Sequence, residues 1–285
     1  MLPTSHIMQA SDHSKPWPQQ DWYHNNLMQR KNWYGGVAQA YYQARPRYPQ
    51  ALIQRVVELA ALPANARILE LGCGPGIATL PLAELGYSMV CLEPSRAACE
   101  LAQHHCAPYP AVEISNTAFE EWPLEPEGFD AVLAATSFHW LDVEIRHTKT
   151  AAALRDRGAL ILLWNTPPQP SPEISQVLDT VYQLHAPSLA GYEDHATQTK
   201  NLDKIAQMVI ESGKFQHLQA EQLICEATYS IEEYLMLLST LSPYIALEPP
   251  QRQTLFTDLA TVLESTCGTH FQTSYLSAFH IAQKA

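Results

Sequence analysis

Between residues 67 and 165 short apolar runs alternate with longer segments of helical periodicity, and this alternation restricts the fold more than any other feature. "RILEL" (67–71), "SMVCLE" (88–93), "AVEI" (111–114), "FDAVLAATS" (129–137) and "GALILLWN" (158–165) read as strands. Residues 77–86, 95–106 and 141–156 read as helices, with Ser95 a natural N-cap and Pro81 unusually far inside its helix. Strands that are apolar on both faces and separated by helices form a parallel sheet covered on both sides. Right-handed crossovers make such a sheet doubly wound. Upstream, Leu52, Ile53, Val56, Val57 and Ala60 sit at helical spacing before Pro63. Downstream, a proline-rich loop (166–172) leads to helical patterns at 173–185, 201–212, 231–242 and 251–266, with candidate strands at 217–230 and 270–284. The expectation is an α/β fold with a doubly wound, mostly parallel seven-stranded sheet, helices on both faces, and a helical cap from 166–215 and 228–268. Polar residues 1–32, with Trp17 and Trp22, read as an extension to a domain spanning 33–285.

Charge and cysteine content narrow the function classes. Seventeen basic and 29 acidic residues give a net charge of −12, which argues against nucleic-acid or anionic-membrane binding, since both need a basic face. No apolar run is long enough to span a bilayer and the N-terminus lacks a signal core, so a soluble cytoplasmic protein is expected, as a monomer or loose dimer. The six cysteines include no CxxC pair and read as reduced thiols. Cys99, His104, His105 and Cys106 match no common zinc spacing, and no metal is expected.

Three of the chain's 11 glycines, Gly72, Gly74 and Gly76, follow the first strand at alternate positions in "ILELGCGPG". Glycine weakens regular structure, so its use here points to positive φ angles or to a ligand lying on bare backbone. In an open parallel sheet ligands bind at the carboxyl ends of the strands, where strand order reverses. The spacing is G-x-G-x-G; a dinucleotide fingerprint would need its third glycine where Ile77 stands.

"LELGCGPG" resembles the first motif of class I S-adenosylmethionine-dependent methyltransferases. The resemblance extends through "CLEPS", "NTAFEEWPL", "FDAVLAATSFHWLD" and "AYYQARPRYP", over roughly residues 36–166, and is strongest to the small-molecule branch that includes trans-aconitate methyltransferase-like proteins. It implies a Rossmann-like methyltransferase fold and S-adenosylmethionine as cofactor. Backbone around Gly72, Cys73, Gly74 and Gly76 would approach the methionine half. Glu70 takes the family's acidic position. Glu93, about 20 residues beyond the turn and followed by Pro94 and Ser95, would bond the ribose hydroxyls. Phe119 would pack on the adenine and Glu120 would approach its amine, although Ala118 stands where relatives often carry an acid. Thr136 and Phe138 would face the cofactor. In the N-terminal lid segment, Arg45 would pair with the cofactor carboxylate and Tyr42 would lie near the sulfonium. His139 and Trp140 would meet the substrate, with His139 the candidate general base, and Tyr244 would line the pocket from the cap.

Each residue also has a plainer reading. Glu93 alone is equally a solvated strand end, Arg45 a surface ion pair, Phe119 and Tyr244 core aromatics. The implied reaction is methyl transfer by in-line displacement to a small molecule carrying a carboxylate, hydroxyl or amine. A nicotinamide-dinucleotide oxidoreductase and a non-catalytic cofactor-binding module stay open as alternatives.

Overall fold

The computed structural model describes residues 34–285; the expected extension at 1–32, with Trp17 and Trp22, lies outside the described residues. Strands β1 (Arg67–Leu71), β2 (Ser88–Leu92), β3 (Val112–Ser115), β4 (Phe129–Ala135), β5 (Leu154–Asn165), β6 (Gln169–Pro170), β7 (Phe215–Ser230) and β8 (His270–Lys284) form one sheet. Its order is β3-β2-β1-β4-β5-β8, with β7 on the outer side of β8. The first five strands are parallel, and β8 runs antiparallel to both β5 and β7. β6 is a two-residue bridge from the proline-rich loop to Thr273 and Ser274 of β8. Seven long strands thus stand as expected, plus this bridge.

The pleat explains why the strands are apolar throughout. Successive side chains point to opposite faces. Leu69, Leu71, Val132, Leu160, Leu162 and Trp164 enter one buried cluster; Ile68, Ala131, Leu133, Ile161 and Leu163 enter the other. Fully burying each large side chain contributes roughly 1.5–3 kcal/mol.

Ten α-helices complete the described residues: α1 (Ala38–Ala44), α2 (Gln50–Leu59), α3 (Thr79–Glu84), α4 (Arg96–Cys106), α5 (Arg146–Ala153), α6 (Pro172–His185), α7 (His195–Glu211), α8 (Ile231–Ser239), α9 (Ser242–Ile245) and α10 (Pro249–Cys267). Among the boundaries that differ from expectation, two have a direct physical reason. α3 begins at Thr79, which puts Pro81 in the first turn, where a missing N–H is tolerated. β5 begins at Leu154, four residues before Gly158, because Leu154 is buried opposite Phe129, so α5 ends at Ala153. Helix α4 carries the expected cap, Ser95 Oγ accepting from the Ala98 amide at 3.5 Å.

A third apolar cluster joins Ala44, Leu178, Tyr182, Tyr234, Leu237, Tyr244, Leu259 and Phe271, and so gathers α1, α6, α8, α9 and α10 at one end of the sheet. Of the segment 166–215, α6 joins this cluster. α7 instead lies on the sheet, with Leu202, Ile205 and Val209 packed among Trp164, Phe215 and Ala282. All six cysteines are free thiols, and Cys73, Cys91, Cys99 and Cys106 are buried. No helix among the described residues is long and apolar enough to cross a membrane.

Candidate functional site

The chain runs from β1 to β2 and β3 on one side and returns to β4 on the other, so strand order reverses at β1. The glycine turn lies at that point. Gly72, Gly74 and Gly76 have φ values of +67°, +56° and +93°, a region L side chains rarely adopt. The amides of Gly72 and Cys73 both donate to Leu92 O, at 2.8 and 3.0 Å, which ties the turn to the tip of β2. The three positions differ in their surroundings. A Cβ on Gly72 would stand 3.0 Å from Ser137 Cβ, and one on Gly76 would touch Cys106 and Ala102 of α4. One on Gly74 would meet nothing within 4 Å. Gly74 therefore presents bare backbone to open space.

Two carboxylates lie behind the turn. Glu93, at the end of β2 and 7 % exposed, accepts from the Gly74 amide at 2.8 Å and the Ser95 amide at 2.7 Å, one on each oxygen. Asn116 donates to the carbonyls of Glu93 and Pro94 and braces this tip. Burial pushes the Glu93 carboxyl up to about 7, against the pull of its two amides. Glu70, fully buried on β1, accepts from Thr79 Oγ1 at 2.7 Å through Oε2, while its Oε1 is buried without a donor. Burial pushes this carboxyl up to about 7 as well.

Above the turn is an open cleft lined by Tyr41, Arg45, Pro46, Tyr48, Gly72, Cys73, Gly74, Ile77, Ala78, Ala135, Thr136 and Asn165. Thr136, with φ +54°, is held by its amide to Leu163 O and shares a 3.0 Å hydrogen bond with Tyr48 Oη. Arg45 lines the cleft with its head already committed: Nε donates to Thr240 Oγ1 and a terminal nitrogen to Thr240 O, both at 2.8 Å, so this side chain ties the 45–49 strap to the end of α8. Thr240→Val removes one acceptor of Arg45 and the hydroxyl's own bond to Leu237 O; urea denaturation should show a loss of about 1–3 kcal/mol.

Of the residues singled out from sequence, Arg45, Gly72, Cys73, Gly74 and Thr136 line the cleft, and Glu70, Gly76, Glu93, Pro94 and Ser95 stand directly behind it. The others point elsewhere. Tyr42 is stacked 3.7 Å from His105 of α4, with Arg47 over its other side, and Tyr41 lines the cleft in its place. The cause is helical geometry: Tyr41 and Arg45 are four apart on one face, with the guanidinium 4.7 Å from the ring, while Tyr42 is turned about 100° away. Phe119 is buried in the core beside Trp122, and Glu120 accepts from the Asp142 amide. Lys149 Nζ gathers the carbonyls of Phe119, Glu120 and Trp122 and fixes that turn. Phe138 is fully buried. His139 packs 5.3 Å from Trp140 and 5.7 Å from Trp164, and Trp140 meets Tyr34 edge-on; neither is among the lining residues. Tyr244 is buried in the cap cluster, its hydroxyl 2.7 Å from that of Tyr182. Sequence reading missed Tyr41, Tyr48, Ile77 and Asn165. Asn165 alone carried a signal, as the polar residue that ends an otherwise apolar strand.

Residues 68–158, from β1 into β5, match the family described as a methyltransferase domain. The strand order and the glycine turn after β1 make the fold that of class I methyltransferases. An uncharacterized methyltransferase of Mycobacterium tuberculosis is 35 % identical over 133 residues, 47 % of this chain and 52 % of the relative. A ubiquinone biosynthesis O-methyltransferase of Bradyrhizobium diazoefficiens is 32 % identical over 99 residues, 34 % of this chain and 38 % of the relative. The chain spans about half the length of the first of these relatives, and less of the second. A solved structure from Anaeromyxobacter dehalogenans, assigned as a type II methyltransferase, superposes with a TM-score of 0.59 at 24 % identity, covering 84 % of this chain and 97 % of that one, a likeness of fold. The matched segment thus supplies the turn, both carboxylates and the β4 side of the cleft, and the segments outside it supply the strap and the cap.

Proposed function

We propose that the cleft holds S-adenosylmethionine and that the chain transfers its methyl group to a small molecule. One observation carries this reading: Glu93 at the tip of β2 is bonded to the amide of Gly74, the turn residue that faces open space. Each oxygen of Glu93 accepts one amide and keeps further lone-pair capacity, which suits the two hydroxyls of a ribose. The backbone beside Gly74 suits the amino-acid half, and the donorless Oε1 of Glu70 can receive a bound water or ammonium group. When bound, the cofactor would supply an electrophilic methyl group to the acceptor's lone pair, the electron pair of the carbon–sulfur bond being left on sulfur. The residues of the chain position the two partners and keep water out; alignment of this kind supplies roughly 7–11 kcal/mol. His139, packed away from the cleft lining, is given no proton-transfer role.

Calorimetry tests the reading. S-adenosylmethionine and S-adenosylhomocysteine are expected to bind at one site per chain and NADH not at all. Ile77 borders the cleft where a dinucleotide fingerprint needs its third glycine, which disfavours a pyrophosphate. Saturable NADH binding with no S-adenosylmethionine binding would replace this proposal by the oxidoreductase alternative, and cofactor binding without turnover on any acceptor by the binding module.

The carboxyls also set a pH dependence. A diol bonds the ionised Glu93 better than the protonated form, so affinity for S-adenosylhomocysteine should rise between pH 6 and 8, with protons released on binding near pH 7. The sign for folding is opposite. Both folded-state values lie above the ordinary glutamate value of 4.5, so the stabilising contribution is complete below that value and is lost as pH rises toward 7. Calorimetric titrations in buffers of different ionisation enthalpy read the first effect, and urea midpoints across pH 5–8 the second.

A further inference from the structure

We infer that Asn165 selects the methyl acceptor, its Oδ1 receiving a hydrogen bond from an O–H or N–H group, so that the acceptor is a hydroxyl or amine compound and not a carboxylate. The inference rests on the cofactor reading above and names the substrate class for the same cleft.

Asn165 ends β5, beside the tip of β4, and borders the cleft. Its amide orientation is set by its surroundings. Nδ2 donates to Pro46 O at 3.0 Å, so the oxygen must occupy the other position. That oxygen, Oδ1, is shut off from solvent and receives no hydrogen bond. A buried acceptor without a donor is costly, and native structures seldom leave one. Ser277 lies directly across from Asn165 on β8, and its buried hydroxyl makes no hydrogen bond to Oδ1. The 45–49 strap, which has no regular secondary structure, supplies Pro46 and borders the same cleft.

The remaining polar groups fit the same class. Thr136 and Tyr48 use their hydroxyls on each other. Arg45 is the cation among the lining residues, and it is spent on Thr240. Glu70 and Glu93 place two acidic side chains behind the turn. An anionic acceptor would therefore meet acceptors and acids with no free cation to balance it, whereas a hydroxyl or an amine brings the donor that Oδ1 lacks.

Four probes of similar shape separate these cases: phenol, benzylamine, benzoate and toluene. Each is titrated into ¹⁵N-labelled protein with and without saturating S-adenosylhomocysteine, and the Asn165 side-chain amide signals are followed by NMR. Phenol and benzylamine are expected to move those signals and to bind about tenfold more tightly than benzoate or toluene. In Asn165→Leu that preference should fall to about twofold. Benzoate binding as well as phenol, an Asn165 signal that no probe moves, or a preference that survives in Asn165→Leu would each overturn the assignment and leave Asn165 as a brace for Pro46. Failure of S-adenosylhomocysteine to bind would count against the cofactor reading alone, since the probe titrations without it still report on Asn165.

Discussion

Glu93→Ala should weaken S-adenosylmethionine binding at pH 8 by about 100-fold or more while leaving the fold intact. Two hydrogen bonds from a diol to an ionised carboxylate are worth roughly 1.5–3 kcal/mol each, and every 1.4 kcal/mol is about a factor of ten. The substitution also frees the amides of Gly74 and Ser95, so the turn loses its tie to the β2 tip. Stability should move far less than binding. Removing a buried carboxylate relieves the desolvation that pushes its titration up to about 7, which offsets the two lost amide bonds. Glu93→Gln should fall between, since its NH₂ must face one of the two amide donors. Calorimetry beside urea denaturation separates the quantities. Unchanged affinity in Glu93→Ala would remove the carboxylate from the cofactor site and take the central support of the proposal with it.

Gly72→Ala should produce the largest stability loss of any single substitution in the turn, roughly 2–5 kcal/mol. Two effects add. The φ of +67° costs a side-chain-bearing residue about 1–3 kcal/mol, and a Cβ placed 3.0 Å from Ser137 Cβ overpacks a site that cannot yield easily. Ser137 Oγ donates to Leu71 O, and the Gly72 amide donates to Leu92 O, so moving either wall breaks a hydrogen bond. Ser137→Gly in the Gly72→Ala background removes the clash and leaves the strain, and should recover about half of the loss. Gly74→Ala provides the contrast. Nothing lies within 4 Å of its Cβ, so only backbone strain applies; that protein should fold, with its methyl group projecting into the cleft and cofactor affinity reduced. Equal stability of the two alanine variants would show that the Ser137 contact does not constrain the turn.

The parts of the site that were readable in sequence are those defined by backbone. A glycine turn and the acid at the next strand's tip are separated by one strand–helix–strand step of nearly constant length, which agrees with the position that the methyltransferase resemblance implied for Glu93. Ser95 was readable too, since its role as a cap depends only on the residues that follow it. Residues carried over by motif similarity in loops behaved differently. Phe119 and Phe138 are aromatic side chains beside a growing apolar core, and burial outweighed exposure to a ligand. Tyr42 and Tyr41 are adjacent in sequence but about 100° apart around a helix, and which one faces the cleft depends on where α4 places His105.

What sequence alone determined was the parallel sheet and the position of the turn at the strand-order reversal, because each follows from local periodicity and a fixed crossover length; the pairing of that turn with Glu93 was implied by the resemblance. What only the tertiary structure decided was the other wall of the cleft. Arg45 is drawn to Thr240, 195 positions away, and Asn165 is oriented by Pro46, 119 positions away. Contacts at such separations depend on how the cap settles on the sheet, and a one-residue turn of a helix or strap is enough to exchange the side chain that faces a ligand for one that packs in the core.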